Sequence, residues 1–332
     1  MMVRLRPCAA RSGSRILGVG AYRPVRVVGN DEICTRIESS DEWIRRRSGI
    51  VTRRFAGPGE TVISMAAEAA RKAMAQSGTD PAEVDAVLLA SMSFLEQAPA
   101  AAPRVAHLLG ARTAGALDVS AACSGFCYAL GLADSLVRSG DARHVVVVGS
   151  ERMSDIIDPE DRSTAFLFGD GAGAVVVGPS EEPGISPVVW GSDGQHHQLI
   201  AHDHSWLAPR GDGLRPYLRM AGPEVFRWAT RVVPETSRQA LAVAGLRTTD
   251  LSAFIPHQAN ARIIDAAAKS LNLAPHTVIA RDVVSAGNTS AASIPLAMEN
   301  LLAQGALPSG APALLVGFGA GLTHAAQIVT LP

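Results

Sequence analysis

The sequence predicts an α/β fold made of two duplicated halves, and matched positions along the chain indicate the duplication. Gly78 and Gly245 each end a predicted helix that is followed by an acidic turn and an apolar strand. Val148-Gly149 and Val316-Gly317 each end an apolar run, and the separation of this second pair agrees with that of the first to within one position. Near-equal offsets between unlike motifs are typical of an internal repeat.

A third match joins two residues that carry chemistry. Cys123 and Asn288 each stand before a small-residue helix start, and their separation is only slightly shorter than that of the other two pairs. Two such units related by a pseudo-twofold axis would place both residues at equivalent helix starts, facing each other across the join. Pockets favour interfaces of this kind, so we expect a binding site there.

Hydrophobic periodicity and turn residues predict the individual elements. In chain order, we expect a strand at Ile16–Gly20, a short helix capped by Ser40 or Asp41 that ends at Gly49, a helix over Thr61–Ser77, strands at Ala86–Ala90 and Val145–Val148, a glycine turn at Gly169–Gly173 before a strand at Ala174–Val177, a strand at Phe254-Ile255 and a helix over Ala261–Leu271. A dinucleotide fingerprint needs its glycines after a strand and at the start of a helix, so the reversed order at Gly169–Gly173 excludes that type of site.

The chain divides into three parts. Residues 1–14 are predicted to form a disordered tail, residues 15–180 the first half with Cys123, and residues 181–332 the second half with His257 and Asn288. Residues 179–222 are rich in Pro, Gly and His, which predicts a linker and a long excursion. Its histidines fit no compact ligand pattern, so we expect a solvated loop and no metal site.

Composition excludes several classes of protein. A formal net charge of −1 over 332 residues gives no general attraction to nucleic acid or to a membrane surface. No run approaches the roughly 20 apolar residues that span a bilayer. The four cysteines have no metal-ligand spacing and are too few for a disulfide framework, which favours the reducing cytoplasm.

Cys123 lies at a predicted strand-to-helix corner, after the strand-like run at Leu117–Val119 and before the helical apolar series from Phe126 to Val137. Unpaired N–H groups and the positive end of the helix dipole stabilise a thiolate there and lower the pKa of a cysteine. We interpret Cys123 as a nucleophile. The alternative is a small buried apolar residue, the common state of free cysteine, and Cys127 one turn later fits that description.

His257 ends a predicted strand at the edge where α/β sheets bind ligands, and Asn288 lies at a similar corner with Thr289 and Ser290 as expected caps. Alone, each fits a structural role, as a hydrogen-bonded histidine at a helix start and as a turn residue. Together with Cys123 they suit acyl transfer through a thioester. The sulfur attacks an acyl carbonyl, N–H groups of Cys123 and of the loop Gly317–Gly321 hold the oxyanion, and His257 and Asn288 donate to a second oxyanion.

Three rival interpretations are considered, of which the last two stay open. A papain-like protease would also use Cys, His and Asn, but its Cys-Gly-Ser-Cys-Trp type of motif is absent. An acyltransferase could pass the acyl group to an alcohol, an amine or a carrier thiol without condensation, although simple transfer does not need Asn288. A degenerate duplicate that only binds or dimerises would not need the three residues intact.

Four ordered motifs resemble the β-ketoacyl-acyl carrier protein synthase III family of the thiolase superfamily, at Ala121–Phe126, Pro256–Asn260, Gly287–Ser293 and Gly317–Gly321. The resemblance covers Ile16–Pro332. It implies a thiolase-like, five-layered αβαβα fold and a homodimer. The implied reaction is a decarboxylative Claisen condensation of an acyl-CoA primer with malonyl-acyl carrier protein, which initiates fatty-acid or type II polyketide synthesis. Acyl-CoA is then a substrate, and no cofactor is expected.

The resemblance also implies roles for single residues. Cys123 takes the acyl group from CoA, and His257 and Asn288 bind the malonyl thioester carbonyl. The other implied roles are the oxyanion loop for Gly319, the adenine end of CoA for Trp43, Arg47 and Arg162, the pantetheine channel for Gly222, Phe226 and Asn260, carrier-protein contact for Arg262, and the acyl pocket for Ala98. The arginines Arg45, Arg46, Arg47, Arg53 and Arg54 are either a solvated face or a phosphate-binding patch, and the resemblance favours the patch.

The chain departs from the family pattern at a few positions. Ser124 stands where Ala is usual, and Ala286 where many relatives have His or Thr. Val51 replaces a basic residue, which weakens any one-to-one model of carrier docking. Ala98 stands near an aromatic gate of some acetyl-specific relatives. The extra room predicts primers larger than acetyl, either branched or of medium length.

Overall fold

The computed structural model describes residues 11–207 and 215–332, and the elements below belong to those ranges. The strands are β1 (Gly13–Tyr22), β2 (Arg26–Gly29), β3 (Thr52–Phe55), β4 (Val84–Ala90), β5 (Gly115–Val119), β6 (His144–Arg152), β7 (Asp170–Ser180), β8 (Val189–Ser192), β9 (Ile200–His202), β10 (Leu218–Met220), β11 (Ala253–Pro256), β12 (Val278–Ile279), β13 (Pro312–Gly319) and β14 (Thr323–Thr330). The helices are α1 (Asn30–Ile33), α2 (Asp41–Ser48), α3 (Val62–Ser77), α4 (Ala101–Leu109), α5 (Gly125–Ser139), α6 (Gly222–Ala244), α7 (Ala261–Leu271), α8 (Val283–Ala286) and α9 (Ser293–Ala303).

Local signals placed several helix ends correctly. The Ser40 side chain accepts a hydrogen bond from the Trp43 N–H at the start of α2, and Gly49 ends that helix with a φ of 80°. Thr61 caps α3 in the same way, and Gly78 ends it. These ends depend on hydrogen bonds within a few residues, which is why the sequence predicts them.

Two five-stranded sheets confirm the duplication. The first has the order β5-β4-β6-β7-β1, and the second has the order β12-β11-β13-β14-β8. In each sheet the first three strands are parallel, and the last two are antiparallel to their neighbours. Each strand of one five-stranded sheet therefore has a counterpart in the other.

The helices complete five layers. α3 and α4 cover the outer face of the first sheet, while α5 and α9 lie between the two sheets. α6 packs on the outer face of the second sheet together with α7. The expected αβαβα arrangement is confirmed. Within the described ranges no helix is both long enough and apolar enough to cross a bilayer.

The structure corrects how the two halves align. Ala122, with a φ of 45°, and Ser290, with a φ of 46°, begin equivalent 3₁₀ turns, and their separation equals that of Gly149 and Gly317. The counterpart of Cys123 is therefore Ala291, and the prediction that Asn288 is its counterpart was wrong by three positions. In the sequence, Cys123 and Asn288 are already closer together than Gly149 and Gly317, which indicates the same misalignment.

Other boundaries also differ from the prediction. β1 begins at Gly13, inside the predicted tail, whose residues 1–10 lie outside the described ranges. The glycines at 169–173 do not form a turn before a strand, because β7 already begins at Asp170. A Cβ on Gly173 would lie 2.7 Å from the Pro295 Cβ, so the glycine allows α9 to pack closely on this strand.

The predicted linker holds regular structure. Within 179–222 lie β8, which completes the second sheet, and the β9–β10 pair, while residues 208–214 lie outside the described ranges. His196 and His204 each contact a neighbouring aspartate. No group of three or more His, Cys, Asp or Glu residues in the described part could hold a metal ion.

Gly149 offers a test of the contact between the halves. A Cβ there would lie 2.3 Å from the Ala291 carbonyl oxygen, so Gly149→Ala forces the 290–292 turn away from β6. We expect a loss of about 1–3 kcal/mol in the free energy of unfolding, measured by urea denaturation. Gly59→Ala is the control, because nothing lies within 4 Å of a Cβ at Gly59, and equal stability of the two variants would contradict the expectation.

Candidate active site

One cavity of about 350 Å³ brings the three predicted catalytic residues together. Cys123, His257 and Asn288 all line it. The wall is mainly apolar and includes Met92, Phe166, Leu167, Phe168, Ile200, Leu218, Met220, Val225, Ile263 and Phe318. An apolar cavity with a few convergent polar groups is the usual form of a small-molecule site.

Cys123 lies in the 3₁₀ turn Ala122–Ser124, between β5 and α5, and is 7% exposed. Burial raises the pKa of its thiol to about 12, against the expected lowering. The Ser290 hydroxyl and the N–H groups of Cys123 and Ala320 act in the opposite direction without cancelling the effect of burial. The thiol of the free protein is therefore protonated at neutral pH.

The glycine loop lies directly against the sulfur. A Cβ on Gly319 would lie 2.7 Å from the Cys123 Cβ and 3.0 Å from its Sγ, so a larger residue would displace the nucleophile. The loop N–H that interacts with the sulfur belongs to Ala320, one residue beyond the predicted Gly319. The Ser124 hydroxyl, at a position where Ala is expected, lies 2.7 Å from Thr323 Oγ1 and joins the nucleophile turn to the start of β14.

His257 is held by backbone and side-chain contacts directly after β11. Its N–H donates to the Val316 carbonyl at 2.8 Å, and its Nδ1 lies 2.7 Å from Ser293 Oγ. Ser293 Oγ also accepts from the Gln258 N–H at 3.2 Å, so its own proton is available for Nδ1. That arrangement leaves the imidazole proton on Nε2.

Burial also decides the charge of His257. It lowers the pKa of the imidazole to about 3, so the ring is neutral at physiological pH. The Phe318 ring packs against it edge to face, with centroids 5.1 Å apart. The site thus holds a neutral N–H donor in an apolar setting.

Asn288 is oriented by its own turn. Its backbone bridges to Leu167 and Gly169, and its Oδ1 accepts from the Ser290 N–H at 2.9 Å. Because the amide oxygen is occupied, the NH₂ group remains as the donor. The expectation that Thr289 and Ser290 are the caps was wrong, since neither makes a side-chain cap and Asn288 satisfies the turn instead.

The predicted adenine-end residues cluster at the cavity mouth. Arg162 lies over the Trp43 ring, 4.8 Å from its centroid, and Trp43 packs edge to face on Phe166. Arg47 lines the main cavity, and together with Trp43 and Arg262 it lines an adjoining depression. The mouth therefore combines a flat aromatic ring with several cations.

The predicted channel residues line the same cavity. Gly222 is the first residue of α6, and Phe226 lies one turn later. The Arg262 guanidinium lies over the Phe226 ring, 5.2 Å from its centroid. Asn260 caps α7 by accepting from the Arg262 N–H, and its NH₂ donates to the Arg47 carbonyl at 3.2 Å. The side chain of Asn260 therefore also has a structural role, tying α2 to α7.

The predicted arginine patch is smaller than expected. Arg53 is fully buried, where its guanidinium donates to the carbonyls of Phe166 and Val28. Arg45 is paired with Asp41 on its own helix. Arg46 and Arg47 remain together, since both line the depression beside Trp43.

Ala98 does not reach the cavity. It is exposed in the loop before α4 and is not among the residues that line the pocket of this chain. The prediction that it lines the acyl pocket is therefore not met within a single chain.

The sequence missed several residues of the site. Ser293, Phe318 and Ala320 lie within the recognised motifs, but their roles depend on contacts across the cavity. Glu151 is fully buried near Cys123 and follows the Val148-Gly149 repeat. A carboxylate directly after a buried apolar strand could have identified it as a candidate site residue.

Comparisons with known proteins agree with this arrangement. The family model described as 3-Oxoacyl-[acyl-carrier-protein (ACP)] synthase III matches residues 117–194, and the model for its C-terminal part matches residues 241–331. Beta-ketoacyl-[acyl-carrier-protein] synthase III 1 of Streptomyces coelicolor is 51% identical, with 100% of each chain covered.

Solved structures extend the likeness to the fold. The priming beta-ketosynthase from the R1128 polyketide biosynthetic pathway has a TM-score of 0.97 at 51% identity, covering 99% of this chain and 98% of that one. The 3-oxoacyl-[acyl-carrier-protein] synthase III of Aquifex aeolicus has a TM-score of 0.89 at 40% identity, covering 96% and 100%. The chain belongs to the β-ketoacyl-acyl carrier protein synthase III family of the thiolase superfamily.

Proposed function

We propose that this protein condenses an acyl-CoA primer with malonyl-acyl carrier protein, with loss of CO₂, to give a 3-oxoacyl-acyl carrier protein. It is an acyltransferase of class EC 2.3.1 that initiates fatty-acid or polyketide synthesis. The observation that carries the proposal is the shared cavity of Cys123, His257 and Asn288. A nucleophile next to two neutral hydrogen-bond donors fits two successive carbonyl reactions in one place.

In the first half-reaction the Cys123 sulfur attacks the acyl-CoA carbonyl carbon. The N–H groups of Cys123 and Ala320 interact with the sulfur, and they are the donors we assign to the oxyanion that forms beside it. The tetrahedral intermediate then expels CoA, and the proton lost by Cys123 ends on the CoA sulfur. Because the free thiol is protonated, its deprotonation accompanies substrate binding.

In the second half-reaction the malonyl thioester carbonyl accepts hydrogen bonds from His257 Nε2 and from the Asn288 NH₂ group. Decarboxylation places the electron pair of the broken C–C bond on the thioester enolate, which those donors stabilise. The enolate carbon attacks the acyl-Cys123 carbonyl, the cysteine sulfur leaves as a thiolate, and a proton from solvent restores the thiol. Neither donor has to change its charge during these steps.

The mouth of the cavity suits a CoA thioester. Trp43 and Arg162 provide a stacking surface for adenine, and Arg47 a cation for phosphate. Gly222, Phe226 and Asn260 line a path for pantetheine, and Arg262 offers a positive charge to an acidic carrier protein. We propose that acyl-CoA acts as a substrate, that no cofactor is required, and that the enzyme works in the cytoplasm.

We also propose a homodimer. β5 is the edge strand of the first sheet, and Leu117 at its centre is 46% exposed. An exposed edge strand is a template for another strand, and pairing with the same strand of a second copy would join the two sheets around a twofold axis. Asp118 accepts from the N–H groups of Ala101 and Ala102, which ties the Ala98 loop to this edge.

Asn288→Ala separates condensation from simple acyl transfer. We expect acyl transfer from labelled acyl-CoA to Cys123 to continue, while CO₂ release from labelled malonyl-carrier protein falls about 100-fold or more, because one enolate donor is lost. Cys123→Ala is the matched control and should abolish acylation. Normal CO₂ release by Asn288→Ala would refute the assigned role, and acylation without any CO₂ release by the wild type would favour transfer to another acceptor.

Ala98 lies off the cavity of its own chain, so its effect on primers requires the dimer, in which the Ala98 loop tied to the β5 edge would reach the acyl pocket of the second copy. Ala98→Phe tests the predicted primer preference on that basis. We expect the wild type to use isobutyryl-CoA or hexanoyl-CoA at least as well as acetyl-CoA, and the variant to lose about 10-fold in kcat/KM for the larger primers alone. Steady-state rates with the three primers measure this. A strong wild-type preference for acetyl-CoA, or an unchanged profile in the variant, would contradict the prediction.

Leu117→Lys tests the dimer. A charge at the centre of the β5 edge should shift the protein toward monomer in sedimentation velocity. Leu108→Lys is the control, since Leu108 is similarly exposed, at 45%, but lies on α4. A wild-type monomer, or equal dimer content in both variants, would contradict pairing through β5.

A further inference from the structure

A fully buried carboxylate, Glu151, lies beside the active site and has no part in the reaction described above. It stands near the end of β6 and is 0% exposed. Burial raises its pKa, while the donors around it act in the opposite direction. A buried carboxylate is costly unless its oxygens accept hydrogen bonds, so its partners indicate what it holds.

Those partners come from two separate segments. Glu151 Oε1 accepts from the Ala291 N–H at 3.2 Å, in the turn that follows Asn288. Its Oε2 accepts from the N–H groups of Met92 and Ser93, each at 3.1 Å, and from the Ser91 hydroxyl at 3.1 Å and the Ser93 hydroxyl. Met92 lines the cavity.

The hydroxyl protons also point toward the carboxylate. Ser93 Oγ accepts from the Arg152 N–H at 2.8 Å, and Ser91 Oγ accepts from the Ser93 N–H at 3.2 Å. Each hydroxyl therefore has its own proton free to donate to Glu151. The groups that hydrogen-bond Glu151 are these hydroxyls, the Ser290 hydroxyl and the backbone N–H groups, while the Cys123 thiol interacts with the Glu151 charge without a hydrogen bond to it.

The duplication shows which space the Glu151 side chain fills. Glu151 and Gly319 occupy the same place in equivalent strands, each two residues after the matched glycine, Gly149 in β6 and Gly317 in β13. In the second sheet Gly319 leaves the space beside Cys123 open, as a nucleophile needs. In the first sheet the equivalent space, beside Ala291, is filled by the Glu151 side chain.

We propose that Glu151 is a positioning residue that joins the Asn288 turn to the Met92 wall of the cavity and so fixes the place of the Asn288 amide. The predicted effect of Glu151 on condensation rests on the proposed function. The predicted effect of Glu151 on the Cys123 thiol does not rest on it. The charge acts on Cys123 directly, since the Glu151 carboxylate raises the pKa of that thiol in addition to burial.

Glu151→Gln tests both effects of Glu151, on condensation and on the Cys123 thiol. The amide NH₂ would face N–H donors at either end, so the Ala291 turn or the Met92 segment loses its acceptor. We expect kcat for condensation and CO₂ release to fall about 100-fold, with an unchanged KM for acyl-CoA. We also expect alkylation of Cys123 by iodoacetamide, followed by mass spectrometry between about pH 7 and 9, to become about 10-fold faster, because removing the charge lowers the thiol pKa.

Glu151→Asp separates the effect of side-chain length from the effect of charge. It also tests the proposal if Glu151→Gln does not fold. The shorter side chain keeps the charge and loses the contact with Ala291, so CO₂ release should fall while the alkylation rate stays at the wild-type value. Asp134→Asn is the matched control, a buried carboxylate on the far part of α5 that accepts from the Ser14 hydroxyl, and it should change neither readout.

The outcomes are distinct. Normal CO₂ release by Glu151→Asp, or equal losses in Asp134→Asn, would overturn the proposal, and unchanged alkylation of Glu151→Gln would refute the effect of the Glu151 charge on Cys123. If the wild type releases no CO₂, the proposed function fails, and the alkylation rates of the three variants still decide whether the Glu151 charge controls Cys123.

Discussion

Direct contact between backbones is the constraint on which the active site depends. The turn that holds Cys123 packs on β13, where a Cβ at Gly317 would lie 2.9 Å from the Ser124 Cα. The turn that follows Asn288 packs on β6 at Gly149 with even less room. Because the interior is close-packed, neither turn can shift without displacing the strand that it contacts. The two turns also contact each other, so nucleophile and amide keep a fixed relation.

Burial then decides the chemistry of the groups held there. The same apolar surroundings raise the pKa of the Cys123 thiol and lower the pKa of His257, so both are neutral in the free protein. A neutral imidazole whose Nδ1 is occupied by Ser293 presents one donor, and an amide whose oxygen is occupied by Ser290 presents another. Fixed neutral donors in an apolar cavity stabilise a forming oxyanion without reorganising at the moment of reaction.

The duplication supplies the frame, and divergence between the halves supplies the function. Equivalent turns carry Cys123 in one half and Ala291 in the other, so only one nucleophile is made. The donors come from the second half alone, His257 from the end of β11 and Asn288 from the segment before the turn. An internal repeat thus builds one asymmetric site at the join of two similar units.

Motifs and local signals predicted much of this protein. The caps at Ser40 and Thr61 and the ends at Gly49 and Gly78 depend on hydrogen bonds or φ values within one turn, which a sequence carries directly. The repeat offsets predicted two equivalent sheets, and the motifs predicted that Cys123, His257 and Asn288 would share one site. These are properties of residue type and spacing.

What the sequence by itself determined was therefore the repeat, the local ends of elements and the identity of the reactive residues. Only the tertiary structure decided that Ala291 is the counterpart of Cys123, that Arg53 is buried, that Ala98 lies off the cavity of a single chain, and that the thiol pKa is raised. Burial and side-chain direction depend on segments far apart in the chain, and no local pattern records them.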